Sequence, residues 1–117
     1  MKYAIRYFND ICIIDLSGKV DFLASQFLDK ILENRISKGN YKLLIDMEYV
    51  DYIGSNGFSV LINNLIKCRE KDGDVKLTNL NHDISSLIKK IRLDEVFELF
   101  NNEDDAINNF YSGGEND

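Results

Sequence analysis

The transition around residues 43 to 66 constrains this chain more than any other stretch. Leu43-Leu44-Ile45 is a short continuous apolar run, the pattern of a strand covered on both faces. Phe58, Leu61, Ile62, Leu65 and Ile66 then recur with the spacing of one helix face. Between them the chain passes through Gly54-Ser55-Asn56-Gly57. A buried strand that turns directly into an amphipathic helix is a unit of an α/β sheet. Asn56-Gly57 is also a hairpin signal, but a hairpin needs an alternating strand after the glycine. The residues there keep helical period, so the hairpin is set aside.

Ser55 falls where a helix N-cap is expected. A hydroxyl there accepts a bond from an orphan amide, worth about 1 kcal/mol over alanine. The same position suits a phosphate, because first-turn amides and the helix dipole both favour negative charge. Residue chemistry alone leaves both readings open.

The rest of the chain repeats the pattern. Residues 3–8 and 11–16 read as two strands joined across Asn9-Asp10. In the second, Cys12, Ile14 and Leu16 alternate with Ile13 and Asp15, which predicts one buried and one partly polar face. Ser17-Gly18 is expected to end that strand. A helix follows from about Phe22 to Lys38, capped by Asp21, with Phe27, Leu28, Ile31, Leu32 and Ile36 as its apolar stripe. Tyr41 to Met47 is the buried strand, and the helix from Ser55 ends near Lys71, before Asp72-Gly73.

Val75 to Leu80 alternates as a further strand, and Asn81-His82-Asp83 caps a short helix from Ile84 to Ile91. A short strand at Val96–Phe100 and a helix at Asn101–Tyr111 close the chain. The order ββαβαβαβα predicts an α/β fold: a single mixed β-sheet with an opening β-hairpin, then alternating elements, flanked by about four α-helices. Residues 1–111 form one domain, and 112–117 are expected to be a frayed acidic tail.

Charge argues against several functions. The 117 residues carry 14 lysines and arginines against 20 acids, a net charge of −6. Five of those acids lie in residues 101–117; without them, 15 acids face 14 bases. No basic patch with interleaved aromatics is present, so nucleic acid is not an expected partner. No apolar run approaches the roughly 20 residues that span a bilayer, and the alternating N-terminus is not a signal peptide. The expectation is a cytoplasmic protein without membrane insertion. Cys12 and Cys68 are then read as unpaired thiols, Cys12 as a small buried hydrophobe.

Catalytic constellations are incomplete. His82 is the only histidine, in a polar turn, and no Gly-x-Ser-x-Gly elbow or phosphate-binding glycine loop accompanies it. Asp46, Glu48 and Asp51 could serve a carboxylate-metal hydrolase, but their spacing fits a solvated loop equally. The chain is read as a non-enzyme with no cofactor and no metal.

Asp46-Met47-x-x-Val50-x-x-Ile53-Gly54-Ser55-Asn56-Gly57 resembles the core motif of STAS domains of the anti-sigma factor antagonist type. Gly18-Lys19-Val20-Asp21 is similar to the segment that precedes their first helix. The likeness spans residues 3 to about 111. It departs at Gly54, where Asp or Ser is usual, and at Asn56, where Ser, Thr or Ala is usual. For this chain the resemblance implies a phosphoacceptor at Ser55 and a partner-binding surface around Asp21, Gly54, Ser55, Asn56 and Gly57. It implies two partners: an anti-sigma factor that is a serine kinase with a GHKL-type ATP site, and a serine phosphatase. The alternative is a constitutive scaffold or adaptor subunit of a transporter or signalling complex, in which Ser55 only caps its helix.

Overall fold

The computed structural model describes residues 1–112. Among them five strands form one sheet in the order β1-β2-β3-β4-β5. The strands are β1 (Lys2–Phe8), β2 (Ile11–Val20), β3 (Lys42–Ile53), β4 (Asp74–Thr78) and β5 (Glu98–Phe100). The helices are α1 (Phe22–Ser37), α2 (Ser55–Arg69), α3 (His82–Lys90) and α4 (Glu103–Ser112), with a single 3₁₀ turn at Leu93–Glu95. β1 runs antiparallel to β2 through a two-residue connection in which Asn9 takes φ 51°. The other pairings are parallel, so the predicted mixed sheet is observed.

Helices cover both faces. On one side α1, α2 and α3 press Leu28, Leu32, Leu61, Leu65, Ile84 and Ile88 against Cys12, Ile14, Leu43, Ile45 and Leu77 of the sheet. Each such side chain contributes about 1.5–3 kcal/mol by leaving water. On the other side α4 alone covers a smaller core of Ile11, Ile13, Leu44 and Ala106, edged by Phe100, Ile107 and Phe110. Ile13 is therefore buried, not partly polar as its neighbour Asp15 suggested. Lys76 is buried on that side as well, its ammonium 2.9 Å from Asp74 and 4.7 Å from the centre of the Phe110 ring. Cys12 and Cys68 are buried free thiols, and burial pushes the Cys68 thiol up to about 11.

Several expectations change. β2 does not stop at Ser17-Gly18; it continues to Val20 through two register shifts, with Gly18 at φ 87°. Glycine adopts that angle without penalty, so the break becomes a bulge. β3 does not stop at Met47 but reaches Ile53, so Glu48 and Asp51 lie on a strand and not in a loop. β4 ends at Thr78, because Asn79 turns to φ 60°. Phe27, placed on the buried stripe of α1, is instead half exposed, against Tyr3 with ring centres 6.0 Å apart. On α2 the buried face takes in Asn64 and Cys68, while Ile66 faces outward. The Asn64 amide nitrogen donates to Asp29 Oδ1 at 2.9 Å and to the Val60 carbonyl at 2.8 Å. Ser112, assigned to the tail, closes α4; residues 113–117 of that expected tail lie outside the described residues.

Candidate functional site

β2 and β3 continue beyond the rest of the sheet. β4 accompanies β3 only as far as Asp46, yet β2 stays paired with β3 to the end, Lys19 with Tyr52 and Val20 with Ile53. The result is a two-stranded ribbon at the C-terminal edge of the parallel strands. Asn81 braces it, donating from Nδ2 to the Val50 carbonyl at 3.1 Å. Both ribbon strands then feed a helix: β2 enters α1 through Asp21, and β3 enters α2 through Gly54. The register thus brings together Asp21 and the Gly54–Gly57 segment, which the sequence places 33 positions apart.

The two helix starts differ. Asp21 caps α1, its carboxylate accepting from the Ala24 amide at 2.9 Å. For α2 the N-cap is Gly54, not Ser55, and no side chain caps that helix. Gly54 donates its own amide to the Val20 carbonyl at 3.1 Å, and its carbonyl accepts the first helical bond from Phe58. Pinning Gly54 to β2 shifts the helix start by one residue, so Ser55 becomes the first residue of α2. Its side chain is exposed and its hydroxyl has no hydrogen-bond partner among the described residues. The amides of Ser55, Asn56 and Gly57 precede the helical ladder and point out of the helix start, the arrangement that favours an anion.

Close packing fixes this geometry. Gly57 is buried, and a Cβ there would lie 2.6 Å from Ile53 Cγ1 and 3.1 Å from Val20 Cγ1. Only a residue without a side chain lets α2 begin this near the ribbon. At Gly54 a Cβ would come within 3.1 Å of the Tyr52 hydroxyl, so the tyrosine occupies the space beside the missing side chain. Asn56 is exposed.

Around this edge the surface is unusually apolar. Phe22 and Leu23, in the first turn of α1, are 57% and 73% exposed, and Tyr49 and Tyr52 on the ribbon are 70% and 50% exposed. The sequence reading missed these four. Phe22 and Leu23 lie just ahead of the apolar stripe, where an unexplained large side chain was the available signal.

A second constellation lies at the α4 face. Oxygens of Asp15, Asp46 and Glu103 approach within 4.8 Å of one another. The Arg6 guanidinium donates to Asp15 at 2.7 and 2.9 Å and also pairs with Glu103. Asp46 is buried and accepts from the Glu48 amide at 3.0 Å and, more weakly, from Asn79. Asp51 is not part of this group, so the triad weighed from sequence shares only Asp46 with it. Arg6 already supplies the positive charge these oxygens need, which makes the group a poor fit for a metal ion. Sharing a hydrogen bond with Asp46, then burial, pushes the Glu103 carboxyl up, against the opposing pull of Arg6. His82 is exposed as the first residue of α3.

Residues 2–106 match the STAS domain family. The chain belongs to that family. Among solved structures, a Thermotoga maritima protein assigned as an anti-sigma factor antagonist superposes with a TM-score of 0.88 at 16% identity, covering 93% of this chain and 94% of the other. An anti-sigma factor antagonist from Mycobacterium paratuberculosis gives 0.85 at 20% identity, with 94% and 93% covered. The Bacillus cell fate determinant SpoIIAA in its phosphorylated form gives 0.71 at 16% identity, with 92% and 97% covered. At these identities the likeness establishes the STAS fold and nothing finer. Among the described residues no helix is long and apolar enough to cross a membrane.

Proposed function

We propose that this STAS domain is an anti-sigma factor antagonist whose partner-binding edge is switched by phosphorylation of Ser55. The partner is an anti-sigma factor with a GHKL-type serine kinase site, and a serine phosphatase resets the cycle. The observation that carries the proposal is the state of Ser55: exposed, unbonded, first in an uncapped helix and directly after the Gly54 that is pinned to β2. A serine retained as a cap would hold one of those amides, and this one does not. Transfer of the γ-phosphoryl group of ATP to Ser55 Oγ, with loss of the hydroxyl proton, adds roughly −1.5 to −2 charges. The free first-turn amides can accommodate that charge, so the fold survives. A partner packed over Phe22, Leu23 and Tyr52 would instead meet a solvated dianion in an apolar contact, and binding is lost.

The test begins with intact mass and site mapping of the protein from its own cells, purified with phosphatases inhibited. A phosphate on Ser55 is expected, together with a co-purifying kinase. Ser55→Ala should keep that partner and Ser55→Asp should release it. An unmodified Ser55 across growth phase and stress, with equal partner binding by both variants, would overturn the switch. The constitutive adaptor would then be the better reading.

A further inference from the structure

Gly54 leaves the start of α2 without a side chain of its own, and a side chain from the ribbon fills the space. The Tyr52 hydroxyl stands 3.1 Å from where a Cβ of Gly54 would be, with Cζ and Cε2 of the same ring at 3.6 Å. The ring therefore leans along the ribbon toward the helix. It is half exposed, and its hydroxyl has no hydrogen-bond partner among the described residues. Opposite Tyr52 in the register lies Lys19, exposed and in no ion pair among the described residues. Asp51 precedes Tyr52, so its side chain leaves the ribbon on the other face. The Asp21 carboxylate, also at this edge, is engaged by the Ala24 amide. What Tyr52 and Lys19 offer side by side is a neutral donor and a cation.

We infer that the Tyr52 hydroxyl is the side-chain ligand of a phosphoryl group on Ser55, a role that rests on the reading of Ser55 as the phosphoacceptor. The Gly54 amide is committed to the Val20 carbonyl, so the amides left for an added anion are those of Ser55, Asn56 and Gly57. No side chain of α2 joins them, and Tyr52 supplies one from the ribbon. Successive Cα atoms stand about 3.8 Å apart, which puts the Tyr52 hydroxyl at most about 8 Å from Ser55 Cα. The three oxygens of a phosphoryl group, carried outward on the Ser55 side chain, close that gap. A phenol donates an O–H···O⁻ bond to the dianion, one of the stronger kinds of hydrogen bond. A carboxylate in the same place would repel it. Lys19 adds a longer-range attraction that salt screens. Phosphorylation then withdraws Tyr52 from the partner-facing surface as well as adding charge to it.

The test is a pH titration by phosphorus NMR of the full chain with phosphoserine installed at position 55 during synthesis. Tyr52→Phe keeps the ring and removes only the hydroxyl; its phosphate should titrate about half a pH unit higher than that of the otherwise unaltered chain. Tyr49→Phe, the same change elsewhere on the ribbon, should leave the titration in place. The Tyr52→Phe difference should also persist in high salt, where a purely coulombic effect fades. An unchanged titration in Tyr52→Phe overturns the inference, as does an equal displacement in Tyr49→Phe or a difference that vanishes in high salt. Because the phosphate is installed, the titration does not depend on a kinase. An unmodified Ser55 in cells removes the switch itself, whereas an unchanged titration removes only the role of Tyr52.

Discussion

The two faces of the sheet are held by different physics. Under α1, α2 and α3 lies a broad apolar core in which Leu32, Leu61 and Ile88 are fully buried. Over the other face α4 buries only Ala106 completely and depends on polar links at both ends. At its start Glu103 joins Arg6, Asp15 and Asp46; at its end Tyr111 donates to Asp10 at 3.2 Å, and Asp10 in turn accepts from Lys42 at 2.8 Å. A face held by apolar burial is nearly indifferent to pH and salt, whereas one held by exposed or half-buried ion pairs answers to both. The candidate site stands on the first kind of support, which suits the proposed switch, since a charge added at Ser55 would then leave the fold intact.

Three measurements would break or sharpen this contrast. The largest effect belongs to the apolar face: Leu61→Ala should cost about 3 kcal/mol, seen as a lower urea midpoint at unchanged slope. A loss comparable to that of a surface change would mean the core is less well packed than its burial implies. Next, Arg6→Ala leaves three neighbouring carboxylates without their cation. Because Arg6 is about half exposed, the cost should be only about 1 kcal/mol, read as faster amide exchange in α4 than in α2. Equal changes in both helices would remove the distinction between the faces.

The smallest effect concerns pH. The Glu103 carboxyl is raised in the folded protein, so the folded state holds that proton longer than the unfolded chain does. Its contribution is fully present below the ordinary glutamate value and is lost as pH rises through the folded value. Asp10 has the opposite sign: Lys42 lowers it, so its contribution is lost as pH falls. Glu103→Gln should therefore slow amide exchange at the start of α4 at neutral pH, by about 0.5 kcal/mol, and flatten its dependence just above the glutamate range. Faster exchange in this variant would mean that the ion pair with Arg6 outweighs the repulsion from Asp46.

Much of the architecture was legible because local signals agreed with it. Leu43-Leu44-Ile45 and the helical spacing after Gly57 placed β3 and α2, and Asp21 and Asn81 cap the helices assigned to them. What was misread depended on distant partners. The polar stretch Glu48–Tyr52 remains a strand because β2 supplies its backbone bonds, whatever its side chains. Phe27 turns outward because α1 is rotated to meet α2 and the sheet, a choice its own periodicity does not encode. The group formed by Arg6, Asp15, Asp46 and Glu103 draws on four separate elements, so no motif announces it. At the candidate site the sequence supplied the residues but not the one-residue shift of the helix start, which depends on the bond from Gly54 to Val20.

The ribbon that carries Ser55 has one more consequence, in the order of events as the chain folds. Its two strands are parallel, so no tight turn can join them; the whole of α1 must first cross over and dock. Pairings of this kind form late, after long-range closure. A newly made or partly unfolded chain therefore contains Ser55 but does not present it on this edge. A partner that bound this edge would thus meet only chains in which α1 had already crossed over and docked.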